Sequence, residues 1–384
     1  YERENLVEMG RRMEALAGKL RARLEKGARP SERDLQTYED LVSFMIYERI
    51  SPAMLKLTEQ SMTGRLKGRR LGFYDEVESE GRRYLSFGGI GEGALEAIPH
   101  LFACAFQVRR AFYHIFEQIV GASMPTARLR AAVWQSIFTH DMRRYRRGGY
   151  RRMGELTTLI TGPSGSGKEL VARAIAMSRY IPFDAKTRSF TEDVAGAFYP
   201  LDLSAMSPTL IESELFGHKK GAFTGALADR AGPLELCPPL GAVFLDEIGE
   251  LSPAVQVKLL RVLETHSFRR LGDSARREFR GKIMAATNRD LAAEMAVGRF
   301  REDLYYRLCS DTVRAPGLAE RLADSPGELD NLVLHLSEQV AGSEEAPRLA
   351  EEVLGVIESS LGPEYAWPGN IRELAQCVRN VLVR

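Results

Sequence analysis

An excess of charge of either sign is missing from this sequence: 53 lysines and arginines stand against 52 aspartates and glutamates. The resulting net charge of +1 excludes a global attraction to nucleic acid or to an anionic membrane, so any such contact must come from a local patch. Long apolar runs are missing too. None approaches the roughly 20 residues that span a bilayer, and the opening Tyr1-Glu2-Arg3-Glu4-Asn5 has none of the character of a signal peptide. The expectation is a cytoplasmic protein with no membrane partner. Cysteine is scarce: Cys104, Cys237, Cys309 and Cys377 lie far apart, without a CxxC pair or a Cys/His cluster at zinc spacing, and read as reduced, mostly buried thiols. There is no internal repeat or low-complexity tract. A first residue Tyr1 and a last residue Arg384 inside an apparent helix suggest that the natural chain is longer. What is present is 384 residues, 44% of them hydrophobic, enough for two or three domains at roughly 100–200 residues each.

Leu6, Met9, Met13, Leu16, Leu20 and Leu24 recur at steps of three and four, one stripe of an amphipathic helix that suits either packing within the chain or a dimer seam. Gly27-Ala28-Arg29-Pro30 ends it. Ser31 followed by Asp34 predicts a capped second helix through Leu35, Tyr38, Val42, Met45 and Ile46, hence a helical hairpin. Residues 61–93 are rich in Gly and Arg, including Gly88, Gly89, Gly91 and Gly93, and predict turns and short elements. Asp75, Glu76, Glu78 and Glu80 interrupt the positive charge there, which favours a solvated linker over an RNA-binding loop.

The chemistry begins at Leu156-Thr-Thr-Leu-Ile-Thr161, a β-rich run that leads into Gly162-Pro163-Ser164-Gly165-Ser166-Gly167-Lys168 and then into a helical pattern opened by Glu169 and Leu170. This is a phosphate-binding P-loop: glycines let backbone N–H groups turn inward, Lys168 reaches the terminal phosphates, and the helix N-terminus adds its dipole. A structural glycine turn is the bland alternative. Glu169 stands where a hydroxyl ordinarily ligates Mg²⁺. Gly241-Ala-Val-Phe-Leu-Asp246-Glu247 is an apolar strand ending in two acids, with Asp246 suited to hold Mg²⁺ and Glu247 to polarise a water, unless both are merely solvated. Lys282-Ile-Met-Ala-Ala286 leads to Asn288, placed to orient that water at the carboxyl end of a parallel sheet. Arg301 and Arg307 follow at a spacing suited to arginine fingers reaching a neighbouring subunit's nucleotide. Trp367-Pro-Gly-Asn370-Ile-Arg372 opens a late helix from which Arg372 could read the γ-phosphate. Together these separate an AAA+ machine from a kinase or GTPase. By composition, Gly221-Ala222-Phe223-Thr224-Gly225-Ala226 is either an interaction loop or an ordinary turn.

That hexapeptide, within Glu214-Leu-Phe-Gly-His218-Lys-Lys-Gly-Ala-Phe-Thr-Gly-Ala226, resembles the sigma-54 contact loop of bacterial enhancer-binding proteins, the sigma-54-dependent transcription activators. The likeness runs over about residues 117–384, from Ile119-Val120-Gly121-Ala122-Ser123 to Trp367-Pro-Gly-Asn-Ile-Arg-Glu-Leu374. It implies an α/β AAA+ P-loop ATPase with a parallel sheet core and a small helical lid, over residues 117–316 and 317–384. A mainly helical regulatory or assembly domain, 1–116, precedes them. It further implies ATP and Mg²⁺ and self-association into a ring, usually a hexamer. The expected target is the sigma-54 RNA polymerase holoenzyme, with Phe223 and Thr224 as contact residues and DNA recognition left to a domain outside this chain. In such proteins a glutamate at the position of Glu169 is usual. At Asp202 the resemblance expects an asparagine; an aspartate would either set its charge against Glu247 or point elsewhere. Three stretches depart from the pattern: the arginine-rich His140–Arg152, a long connection from Ile181 to Phe198, and Gly317-Leu-Ala-Glu-Arg321. An AAA+ remodeller of another target, or a nucleotide-gated scaffold, are the rival readings; intact Phe223-Thr224 opposes the first and intact Glu247, Asn288 and both arginines the second.

Overall fold

A computed structural model describes residues 2–86, 97–362 and 365–383, so Gly88, Gly89, Gly91 and Gly93 lie outside the described residues. The chain separates into two units, Tyr1–Arg110 with Tyr180–Ala195, and Ala111–Arg179 with Gly196–Arg384. Among the described residues no helix is long and apolar enough to cross a membrane.

The first unit contains α1 (Glu2–Glu25), α2 (Glu32–Ser61), α3 (Tyr74–Leu85) and the start of α4 (Ile98–Phe116). The helical hairpin forms as its sequence predicts, and the cap is reciprocal: the Asp34 amide donates to Ser31 Oγ at 3.2 Å and the Ser31 amide to Asp34 Oδ2 at 3.1 Å. Among the described residues of α1 Ala17 is the one fully buried, whereas Met9 and Leu16 of the apolar stripe stay exposed. The Gly/Arg-rich stretch differs from expectation, because α3 occupies its middle. Tyr74, Val77, Gly81, Tyr84 and Leu85 recur at helical spacing and are buried, and Gly81 is the residue that lets Ile98 pack against the helix. The abundance of glycine and arginine obscured that period. The long connection after the P-loop helix contributes a small antiparallel hairpin, Phe183–Asp184 with Ser189–Phe190, to this unit. Its Phe183 and Phe190 rings lie against Phe102 at 4.6 and 5.9 Å, and Leu71 donates its amide to Arg188 O at 2.9 Å.

The second unit opens with α5 (Met124–Phe138) and holds a five-stranded parallel sheet: β1 (Thr158–Thr161), β2 (Phe198–Asp202), β3 (Ala242–Asp246), β4 (Lys282–Thr287) and β5 (Asp311–Arg314), in the order β5-β1-β4-β3-β2. The central strands β3 and β4 are near-continuous apolar runs because both of their faces are covered. Helices α6 (Lys168–Met177), α7 (Pro208–Phe216), α8 (Pro253–Thr265), α9 (Leu291–Ala296) and α10 (Glu302–Leu308) connect them. A lid of α11 (Leu318–Asp324), α12 (Glu328–Ala341), α13 (Ala346–Ser360) and α14 (Asn370–Leu382) follows, with its own core around Leu332, Val353, Trp367 and Leu374. The α/β class with a helical lid is therefore as the sequence implies.

The lid is anchored by a carboxylate with no solvent exposure. Glu328 accepts from the Ser123 amide at 2.9 Å, Ser123 Oγ at 3.0 Å, Thr126 Oγ1 at 2.9 Å and Arg321 Nε at 2.7 Å, and from the Ala122 amide. Burial alone would push its pKa up, but the Ala122 amide and the Arg321 guanidinium hold it below the ordinary value. Glu328→Gln is expected to cost about 2–3 kcal/mol near neutral pH, because Arg321 is left buried without a countercharge. A depressed carboxylate pKa stabilises the fold above the ordinary glutamate range and loses that contribution as pH falls through its folded value. The gap between wild type and variant in urea melts should therefore close on acidification; a gap that stays constant down to pH 3 refutes the account.

Candidate active site

The P-loop joins β1 to α6 at the carboxyl end of the sheet, where doubly wound folds place their ligands. Gly165 has φ +74°, and a Cβ there would run into Gly369 O of the lid, so both the loop's curl and the lid's approach require glycine. Lys168 is 5% exposed and its ammonium donates to Gly162 O at 3.2 Å and Pro163 O at 3.4 Å. It also lies 3.4 Å from Glu247 Oε1. Ser166 Oγ is buried with no hydrogen-bond partner, and an orphaned hydroxyl inside a phosphate loop is what a phosphate oxygen would satisfy. Glu169 and Leu170 are exposed on the first turn of α6, where Glu169 pairs with Arg173 at 3.0 Å.

Across the loop, β3 delivers the acid pair. Glu247 has left-handed backbone, φ 55° and ψ 55°, which turns it off the strand end. Its Oε2 accepts the Asn288 amide at 3.1 Å. The structure thus brings Lys168, Glu247 and the end of β4 together. It is the Asn288 backbone that meets Glu247, and the residue stands exposed at the strand end. Asp246 has its pKa raised, first by burial and then by the negative charges of Glu247 and Asp202, against the pull of Lys168. A divalent cation relieves that arrangement, so the donor set fits Mg²⁺.

Asp202 sits level with Asp246 in the β2–β3 pairing. Its carboxylate accepts the Ser204 amide at 3.0 Å and Ser204 Oγ at 2.7 Å. The Asp202 charge adds to the raising of the Asp246 pKa, because adjacent parallel strands put these two residues in register.

The lid closes on the same loop. Arg372 donates to Ser164 Oγ at 3.2 Å, and the Ile371 amide to Gly165 O at 3.1 Å. Sequence reasoning passed over Asn370, which donates to Ser164 O at 2.9 Å and accepts the Leu318 amide at 2.7 Å, tying loop and lid together. Its one local signal was an asparagine directly after Pro-Gly, a position that takes φ 53° here.

Arg301 and Arg307 stand elsewhere. Arg301 caps α10 and makes a two-point ion pair with Asp303 at 3.0 and 2.6 Å, and Arg307 lies 3.8 Å from Glu264. Arg307 O accepts from Thr157 Oγ1, at the end of β1 opposite the P-loop. The five residue steps from Thr157 to Gly162 span about 16 Å, so Arg307 lies beyond reach of its own phosphate loop.

The Gly221–Ala226 loop protrudes from the antiparallel pair Gly217–His218 and Arg230–Ala231. Gly221 and Gly225 have φ +81° and +101°, and the Gly221 amide closes onto Ala226 O at 2.9 Å. Lys219 and Asp229 clamp its base at 2.6 Å. Phe223 is exposed, yet its ring lies edge-on to His218 at 5.0 Å; Ala222 is half-buried, Thr224 exposed and Ala226 buried. Leu227, 85% exposed, extends the apolar tip beyond the hexapeptide and escaped the sequence reading.

Parallel strands in this order, with a phosphate loop after β1 gripped by a helical lid, define the AAA+ class of P-loop ATPase folds. NtrX from Brucella abortus shares the fold, with a TM-score of 0.50 at 25% identity over 82% of this chain and 64% of that one. NtrX solved in complex with ATP superposes with a TM-score of 0.51 at 24% identity, covering 82% and 62%. Within that class, residues 142–314 match the family model of the Sigma-54 interaction domain. The hydrogenase transcriptional regulatory protein HoxA of Bradyrhizobium diazoefficiens is 44% identical over 243 residues, 60% of this chain and 43% of HoxA. A Nif-specific regulatory protein of Azotobacter vinelandii is 43% identical over 224 residues, 58% and 38% of the two chains. The anaerobic nitric oxide reductase transcription regulator NorR of Aeromonas hydrophila is 41% identical over 231 residues, 60% and 41%. The chain thus spans about two fifths of the length of these curated relatives.

Proposed function

We propose that this chain is an ATP-dependent activator of sigma-54 RNA polymerase that remodels the closed promoter complex. Residues 117–316 form its ATPase core, 317–384 its lid and 1–116 a regulatory or assembly domain. The observation that carries the reading is the short path between nucleotide and contact loop: β2 ends at Asp202 beside Asp246, and α7 leads directly from there to the base of the Gly221–Ala226 loop. A change at the acid pair has one helix to move before it reaches Phe223.

In this reading the P-loop amides, Ser166 and Lys168 bind the ATP phosphates, Asp246 would hold Mg²⁺, Glu169 stands on the first turn of α6 paired with Arg173, and Arg372 senses the γ-phosphate from the lid. Mg²⁺ supplies neutralisation of the phosphate charge. Glu247, with Asn288, orients a water and accepts its proton as that water's oxygen bonds to the γ-phosphorus and the bond to the β-phosphate oxygen breaks, leaving ADP and phosphate. Arg301 and Arg307 serve the neighbouring subunit of a ring, a hexamer by the family's habit, which agrees with the distance of Arg307 from its own loop. Retention of sigma-54 on the immobilised chain with a transition-state nucleotide analogue, and its absence without nucleotide, is the expected result. Equal retention in both conditions removes the ATP-driven reading.

Asp202 makes a separate prediction. Removing its charge in Asp202→Asn lowers the pKa of Asp246, so the metal ligand stays ionised further into acid and the acid limb of the ATPase pH profile moves to lower pH. An acid limb and a Mg²⁺ requirement both identical to wild type would show that Asp202 has no influence on the site.

A further inference from the structure

The arginine-rich segment between α5 and β1 has no part in the nucleotide site or in the contact loop. Residues 142–154 hold Arg143, Arg144, Arg146, Arg147, Arg151 and Arg152 and no acid, in a chain whose overall charge is +1. The segment folds as helical turns, Met142–Arg144, Tyr145–Gly149 and Tyr150–Arg152, capped at Asp141, whose carboxylate accepts the Arg143 amide at 2.9 Å and the Arg144 amide at 3.1 Å.

These turns are held in place. Tyr145 is buried with its ring edge-on to Phe138 at 5.3 Å. The wholly buried Lys282, at the start of β4, donates to Leu156 O at 2.6 Å and Met153 O at 3.3 Å, fixing the exit. Arg144, Arg147, Arg151 and Arg152 are exposed on that fixed base. Arg151 lies over the Tyr150 ring at 5.4 Å and donates to its hydroxyl at 2.9 Å.

We propose that this surface binds the phosphate backbone of duplex DNA. Three features favour phosphates. Every cation is an arginine, whose planar fork matches phosphate oxygens in pairs. Arg143 and Arg147 stand four apart on the turns before the break at Gly148, a like-charge spacing that disfavours those turns unless an anion sits across it, a role that the Asp141 carboxylate at the cap begins to fill. Among the described residues no large apolar side chain between 139 and 155 is exposed, Leu156 just beyond being 39% exposed, and a protein interface would need such an anchor at its centre, whereas backbone contacts to DNA need only charge and donors. The segment also enters β1 at the end opposite the P-loop, so these arginines do not serve the chain's own nucleotide. The contact positions the protein on DNA without reading sequence.

The test measures binding of the full chain, without nucleotide, to a labelled random 25-base-pair duplex by fluorescence anisotropy between 50 and 200 mM salt. Four phosphate contacts give a slope of log K against log salt near about −3.6. The variant Arg144→Ser/Arg147→Ser/Arg151→Ser/Arg152→Ser is expected to bind at least about tenfold more weakly at 50 mM salt with a shallower slope, while its thermal melt and ATPase rate match wild type. A control removing Arg276, Arg280, Arg348 and Arg379 should bind as wild type does. The proposal is overturned if the patch variant binds like wild type, if the control loses as much, or if binding ignores salt. Tighter binding of a single-stranded RNA of equal length overturns the duplex assignment. Loss of self-association with DNA binding intact reassigns the patch to a contact with a second copy.

Discussion

Glu247→Gln is expected to bind ATP as tightly as wild type and to hydrolyse it about 10²–10⁴-fold more slowly, the range contributed by a positioned general base. The substitution keeps the side chain's shape and an acceptor for the Asn288 amide, which Glu247 now receives at 3.1 Å. It removes the charge that faces Lys168 at 3.4 Å and, in the proposed mechanism, the carboxylate that takes the proton from water. Binding, carried by the P-loop and Lys168, survives. Lys168→Ala is the contrasting variant, since losing the ammonium weakens nucleotide binding itself. Equilibrium binding of a fluorescent ATP analogue, paired with steady-state phosphate release, separates the two. Turnover within a few-fold of wild type in Glu247→Gln would transfer the base role to another group.

Phe223→Ala is expected to leave ATP hydrolysis within about twofold of wild type and to weaken the sigma-54 contact by about 2–4 kcal/mol, thirtyfold or more, as loss of an aromatic anchor does. The ring lies on His218, whose Nδ1 is 2.7 Å from Ser213 Oγ of α7. Phe223 thus rests on a histidine that is itself tied to the helix leading back to the acid pair. A shift of α7 moves the surface on which the ring rests, which gives the nucleotide cycle a mechanical route to the loop tip. Size-exclusion co-elution with sigma-54 in a transition-state nucleotide analogue reads the contact. Undiminished co-elution of Phe223→Ala would move the anchor to another residue, with the more exposed Leu227 the next to substitute.

The parts of the site legible in the sequence are those whose chemistry is contiguous. Gly162–Lys168 and Asp246–Glu247 each sit on one strand end, and the fold needs only a parallel sheet to bring them together. Contacts made across long separations were not legible. Asn370 reaches Ser164 over 206 residues of chain, and nothing local to either residue announces it. The position of Asp202 was found by spacing, but the direction of its influence depends on strand register, which sets it beside Asp246. In the first unit, the cap at Ser31 was legible because Ser31 and Asp34 are three residues apart. Helix α3 was hidden because the glycines and arginines of the surrounding stretch obscure the apolar residues that mark its period.

The hairpin Phe183–Phe190 has a consequence for how the protein is made. The rings of Phe102 and Phe106 belong to a unit whose other aromatic wall, Phe183 and Phe190, is encoded only after the P-loop strand and helix. Folding during synthesis ordinarily proceeds domain by domain from the N-terminus. Here the first unit remains one hairpin short while residues 111–195 are added, about 4–17 s at ribosomal rates of about 5–20 residues per second. During that interval Phe102 and Phe106 lack the wall that buries them, and the nascent chain offers an aromatic surface to any chaperone at the ribosome exit before its own hairpin arrives to displace it.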